Sequence, residues 1–147
     1  MMNQRASEIG CTNTHFANSS GLPDDNHYSS ARDMALIFRE GLKNETFRTV
    51  VGTPDYIIQP TNMNSQQRIL HTHHPMFAPE SGFYYEGCIG GKTGTTVAAG
   101  HTLVTGVTRD NTTYIAVTMR GTELSNSCMD STATVSYTHL TLPTTSR

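Results

Sequence analysis

The apolar positions at the start of the chain recur at helical spacing. Met2, Ala6 and Ile9 share one helix face, and Gly10 stands where a left-handed residue would end the helix. Asn18-Ser19-Ser20-Gly21-Leu22-Pro23-Asp24-Asp25 is a turn-rich loop. Behind it, Ser30 and Asp33 form an S-x-x-D capping pattern. Met34, Ile37, Phe38 and Leu42 continue it as an amphipathic stripe. Asn44 is placed to cap a second, short helix that turns Phe47, Val50 and Val51 inward and ends near Gly52-Thr53-Pro54. Tyr56-Ile57-Ile58 predicts a short strand, and residues 60–79 predict a long polar connection.

From Tyr84 onward the period shortens to two. Strands are predicted over 85–93, 101–108 and 113–119. In the second, Leu103, Thr105 and Val107 alternate with Thr102, Val104 and Gly106. Arg109-Asp110-Asn111-Thr112 supplies the turn of a hairpin. Residues 128–133 predict the first turns of a helix. Helices packed on an antiparallel sheet predict an α/β layered domain.

Residues 134–147 change character, with five threonines, no acidic residue and no evident period. Val135 to Thr144 can be encoded by GTC TCT TAT ACA CAT CTG ACG CTG CCG ACG, a string that resembles a transposon-end sequencing adapter read in frame. The expected division is therefore a domain portion over 1–133 and a non-native tail over 134–147.

Composition narrows the class. The chain has 147 residues, 35% apolar and 15% charged, with a net charge of −2. That is a polar globular composition, with no electrostatic reason to expect nucleic acid or a membrane as partner. No apolar run approaches a spanning helix, and Met1-Met2-Asn3-Gln4-Arg5 opens no signal-peptide core. Cys11, Cys88 and Cys128 are odd in number and widely spaced, so they read as buried thiols and not as a disulfide framework or zinc site.

One motif carries chemistry. Gly90-Gly91-Lys92-Thr93-Gly94-Thr95 closes a predicted strand and precedes Ala98-Ala99-Gly100. Lys92 would hold a substrate carboxylate by a charge-assisted contact, and Thr93 would add a hydroxyl donor. Gly94 would let a peptide lie against the strand, and the N–H of Thr95 would face a developing oxyanion. The tripeptide alone reads equally as a surface lysine on an edge strand beside a bulge.

The surrounding segments decide between these readings. They are Asn13-Thr14-His15-Phe16-Ala17-Asn18, Gly21-Leu22-Pro23-Asp24, His27-Tyr28-Ser29-Ser30-Ala31-Arg32-Asp33-Met34-Ala35, and Tyr85-Glu86-Gly87-Cys88-Ile89 running into the motif. With them, residues 2–133 resemble the serine-type D-Ala-D-Ala carboxypeptidases, the low-molecular-mass penicillin-binding proteins. The resemblance implies a β-lactamase/transpeptidase-like α/β domain, truncated on its N-terminal side. It implies a peptidoglycan stem peptide ending in D-Ala-D-Ala as substrate, β-lactams as inhibitors, no cofactor or metal, and a location outside the cytoplasm at the cell envelope. Lys92, Thr93, Gly94 and Thr95 are the catalytic-site residues it assigns here, with Lys92, Thr93 and Thr95 binding substrate.

Such enzymes also use S-x-x-K and S-x-N. The only lysines are Lys43 and Lys92, with Glu40 and Ile89 three positions before them, and no asparagine has a serine two positions before it. The family order puts both motifs upstream, so the nucleophile is expected outside the chain and Met1 is not the expected natural start. Some members carry an arginine near the helix after the hairpin, where Ser127 stands here and Arg120 is the nearest guanidinium. A β-lactamase of the same superfamily and a non-catalytic peptidoglycan-binding module are the alternatives. His71-Thr72-His73-His74 is read as satisfied or solvated loop histidines rather than a metal site, and Asp24-Asp25 as turn residues. His15 and Ser20 are expected near the cleft without chemistry of their own.

Overall fold

A computed structural model describes residues 1–139, with side chains to Tyr137. The helices are α1 (Met2–Glu8), α2 (Ala31–Gly41), α3 (Glu45–Val51) and α4 (Leu124–His139); the strands are β1 (Asp55–Ile58), β2 (Arg68–His71), β3 (Cys88–Thr96), β4 (Gly100–Arg109) and β5 (Thr112–Gly121). β3, β4 and β5 form an antiparallel sheet in that order, and β1 pairs with β2 in a separate ribbon.

Local chemistry sets the helix ends. Gly10 follows α1 at φ +89°, where a side chain would be strained. The Ser30 side chain accepts from the Asp33 N–H, and the Asn44 side chain accepts from the Phe47 N–H. Asp33 does not turn back to complete a capping box. It is fully buried, and its Oδ2 accepts from Thr12 N, Asn13 N and Thr14 Oγ1 at 3.1, 2.7 and 2.7 Å. One carboxylate thus stitches the start of α2 to the segment after α1.

The hairpin turn is Asp110-Asn111, at φ 47° and 60°, with Arg109 opposite Thr112. Two successive left-handed residues match the strand twist, as the Asp-Asn pair predicts. β4 is the central strand and is covered on both faces. Leu103 packs with Met76 and Cys128, and Val107 with Ala116 and Val135. On the other face Gly106 admits Phe38 of α2 and Ile89. This is the predicted α/β layering, with α4 on one side and α2 and α3 on the other.

Four expectations change. The connection over 60–79 is not uniformly irregular, because Arg68–His71 forms β2 against β1. The first strand of the main sheet begins at Cys88, since Tyr85 to Gly87 is occupied by a turn in which Cys88 N donates to Tyr85 O. Val50 is 68% exposed and does not face inward. Finally, α4 passes residue 133 without a break. Cys128, Ser131 and Val135 are all buried and fall at helical spacing on its inner face, and Ser136 Oγ is 3.1 Å from Tyr85 Oη. The helical period therefore continues past residue 134, while residues 140–147 of the expected tail lie outside the described residues.

Candidate functional site

Lys92, Thr93, Gly94 and Thr95 occupy consecutive positions of β3, opposite Val104, Leu103, Thr102 and His101 of β4. β3 is an edge strand among the described residues, so one side of its backbone is unpaired there. Lys92 and Thr95 are exposed, and Thr93 and Gly94 are half-buried. The Lys92 ammonium donates to the Thr93 carbonyl at 2.6 Å, and Thr95 Oγ1 lies 3.0 Å from His101 Nδ1. Thr102 Oγ1 donates to the Gly94 carbonyl at 3.2 Å. A Cβ on Gly94 would come within 2.7 Å of that hydroxyl, so the sheet itself also uses the missing side chain.

The strand reaches this position because two glycines precede the lysine. A Cβ on Gly90 would lie 1.9 Å from the carbonyl oxygen of Val51, at the end of α3. A Cβ on Gly91 would lie 2.0 Å from Val104 O and 2.6 Å from His74 Nε2. Only glycine at each place admits these close approaches. A cleft of ≈ 490 Å³ opens beside them, with Lys92 and Thr93 at one wall and Val51, Tyr56 and Leu70 among its apolar lining.

His74 is the residue that the sequence did not single out. It is 2% exposed, and its Nε2 is 3.2 Å from Val104 O and 3.1 Å from Thr105 Oγ1. Burial holds the imidazole below its ordinary range, and the nearby Lys92 charge adds to this against the opposing Val104 carbonyl. His71 instead ends β2 on the surface, with Nδ1 2.7 Å from Asp55 Oδ1. The three histidines are thus separated: His71 is hydrogen-bonded to Asp55 at the surface, His73 is exposed, and His74 is in the core.

Other candidates fall outside the motif. Asp24 Oδ1 accepts from Asn26 N, as a turn residue does. His15 bridges Tyr28, and Ser20 Oγ donates to Asn18 within its own loop. Ser127 is buried against Gly121, and Arg120 is a left-handed residue at the bulge of β5. The Cys88 and Cys128 thiols are pushed up by burial. Cys11 is pushed up by burial with the charge of Asp33 adding, so none of the three is an activated nucleophile.

An antiparallel sheet between helices is the fold this chain shares with solved DD-transpeptidases. The crystal structure of a Streptomyces DD-transpeptidase superposes with a TM-score of 0.81 at 31% identity, covering 92% of this chain and 51% of that one. The D-alanyl-D-alanine carboxypeptidase of Mycobacterium tuberculosis does so with a TM-score of 0.80 at 26% identity, over 97% and 53%. A family model described as D-alanyl-D-alanine carboxypeptidase matches residues 1–123, and the chain belongs to that family. In sequence it is 32% identical over 136 residues to a D-alanyl-D-alanine carboxypeptidase of Streptomyces, covering 92% of this chain and 46% of the relative. It is 36% identical over 117 residues to the carboxypeptidase DacF of Bacillus subtilis, covering 79% and 28%. The chain thus spans less than half of these curated relatives and about half of the solved ones.

Proposed function

We propose that this chain is the carboxylate-gripping portion of a serine-type D-Ala-D-Ala carboxypeptidase, whose serine and partner lysine lie in sequence outside it. The observation that carries the reading is the Lys92-Thr93-Gly94-Thr95 run on an open strand edge, in a chain with no S-x-x-K and no S-x-N. An extended peptide would lie along that edge as an added strand. Its terminal carboxylate would take the Lys92 ammonium away from the Thr93 carbonyl, and the Thr93 hydroxyl would donate to the same group. Gly94 would leave room for the peptide backbone, and the Thr95 N–H would meet the oxyanion as the tetrahedral intermediate forms. The serine supplied from outside would attack the bond between the two D-alanines, D-alanine would leave, and water would free the shortened stem peptide. β-Lactams would enter as mimics of the dipeptide. The working location of such an enzyme is outside the cytoplasm, at the cell envelope.

The test is the parent protein restored from the flanking genomic sequence. It should release D-alanine from a peptide ending in D-Ala-D-Ala. Lys92→Ala should cut kcat/KM by about 100-fold or more, the scale of losing a charged contact made to the reacting group. A parent that hydrolyses β-lactams with turnover but leaves the dipeptide intact would make it a β-lactamase. An intact upstream frame without S-x-x-K would make it a binding module.

A further inference from the structure

His74 lies 18 residues before Lys92 in sequence, on a segment with no place in the motif. In the fold it stands directly behind the motif. Its ring fills the space left by the absent side chain of Gly91. Nε2 reaches Val104, the residue opposite Lys92, and Thr105, the residue opposite Gly91. Thr105 Oγ1 in turn donates to Met76 Sδ, so that hydroxyl is left as an acceptor for the ring. A carbonyl can only accept, so Nε2 must carry the proton and donate to it. Pro75 follows immediately and opens a short 3₁₀ turn, and Thr72 Oγ1 accepts from the His74 N–H. Backbone on both sides of the ring is therefore fixed.

We infer that His74 is a positioning residue for the carboxylate grip: its neutral, Nε2-protonated imidazole pins β3 to β4 behind Lys92 and sets the ammonium on the cleft wall. Without the ring, the Val104 carbonyl and Thr105 hydroxyl lose a buried partner and Gly91 faces a void, so the two strands are free to shift by fractions of an ångström. Lys92 and Thr93 project from that same stretch of β3. A shift there moves the two carboxylate donors together, and misplacement on this scale costs orders of magnitude in rate. The nearby positive charge of Lys92 also disfavours an imidazolium at this position. This inference rests on the carboxypeptidase reading for its effect on ligands, and not for the hydrogen bond itself.

The experiment compares His74→Ala and His74→Gln in the parent protein, because a glutamine amide can restore an N–H near Nε2 without titrating. Acylation is followed with benzylpenicillin and with its methyl ester, which lacks the carboxylate. His74→Ala should slow acylation by the free acid about tenfold or more, and the ester by less than about threefold. His74→Gln should recover most of the loss on the free acid. Equal losses on acid and ester, or no loss on either, would overturn the proposal. So would a glutamine variant as poor as alanine. A parent that no penicillin acylates refutes the carboxypeptidase reading instead. The pin is then judged by ¹⁵N NMR of the imidazole: an Nε2–H tautomer supports it, and an Nδ1–H tautomer overturns it.

Discussion

Gly91→Ala and Gly94→Ala differ by one methyl group at sites three residues apart on one strand, and they should differ greatly in stability. Neither glycine sits at positive φ, so backbone freedom does not decide the outcome, and alanine should gain about 0.5–1 kcal/mol at each from reduced unfolded-state entropy. Contacts decide it. At Gly91 the new Cβ would lie 2.0 Å from the Val104 carbonyl oxygen and 2.6 Å from His74 Nε2, against a comfortable separation of roughly 3.5 Å. Val104 is paired on both sides, to Lys92 and to Val117, and His74 is in the core, so neither neighbour can step aside. Overpacking of this kind should cost about 3 kcal/mol or more, a factor of about 150 in the folding equilibrium. At Gly94 the Cβ would lie 2.7 Å from Thr102 Oγ1, the tip of a half-buried side chain that can rotate. The loss there is one hydrogen bond, about 1 kcal/mol, offset by the entropy gain. Urea unfolding of the parent protein, followed by circular dichroism, should show a large fall in midpoint for Gly91→Ala and nearly none for Gly94→Ala. A Gly91→Ala midpoint near that of the wild type, or the reverse order of the two variants, would refute the packing argument.

Further expectations follow from other residues. At Asp33 burial pulls the carboxyl up, but hydrogen bonds from Thr14, Asn13 and Thr12 and the charge of Arg32 outweigh it and hold the group below its ordinary 3.8. The unfolded chain therefore binds this proton first. The stabilisation is present above the ordinary value and is lost as pH falls through the lower folded one. Asp33→Asn should flatten that acid limb in a stability–pH series, and an unchanged limb would assign the acid sensitivity elsewhere. The isolated 147-residue chain should release no D-alanine, and residues 1–133 alone should not melt cooperatively; measured release or a sharp calorimetric transition would contradict these. A long read across codon 134 should replace the adapter-like codons. The residue it places at 135 should be apolar, because that position packs on Val107 and Ala116. A read that retains the present codons would make the tail part of the protein.

Features with local causes were legible in the sequence. Ser30, Asn44 and Gly10 act within four residues of the groups they satisfy, and Asp110-Asn111 needs only its own backbone preference to make the hairpin turn. The Lys-Thr-Gly run stood out as a candidate site because its residue types are specific. What escaped was set by distance. β2 is four exposed residues with no alternation, and only its pairing with β1 makes it a strand. α4 beyond residue 133 is rich in serine and threonine, and its inner face becomes visible only once Val107 and Ala116 are known to receive Val135. His74 looked like one of three loop histidines, since its partners lie 30 and 31 residues away.

The same distances explain why Gly90-Gly91 belongs to the candidate site as much as the lysine does. The two residues point to opposite faces of β3, and each is approached by a different element: the end of α3 on one face, His74 on the other. A helix terminus and an imidazole can press on consecutive positions only if both lack side chains. The strand is then clamped between them while the edge that follows stays unpaired among the described residues. An open strand edge has this conflict built in, because a free strand frays unless something holds it, and whatever holds it must not cover it. Clamping through the faces at two glycines, immediately before Lys92, leaves the edge open and the ammonium at its mouth. The glycines give β3 the rigidity that a second paired neighbour would otherwise supply.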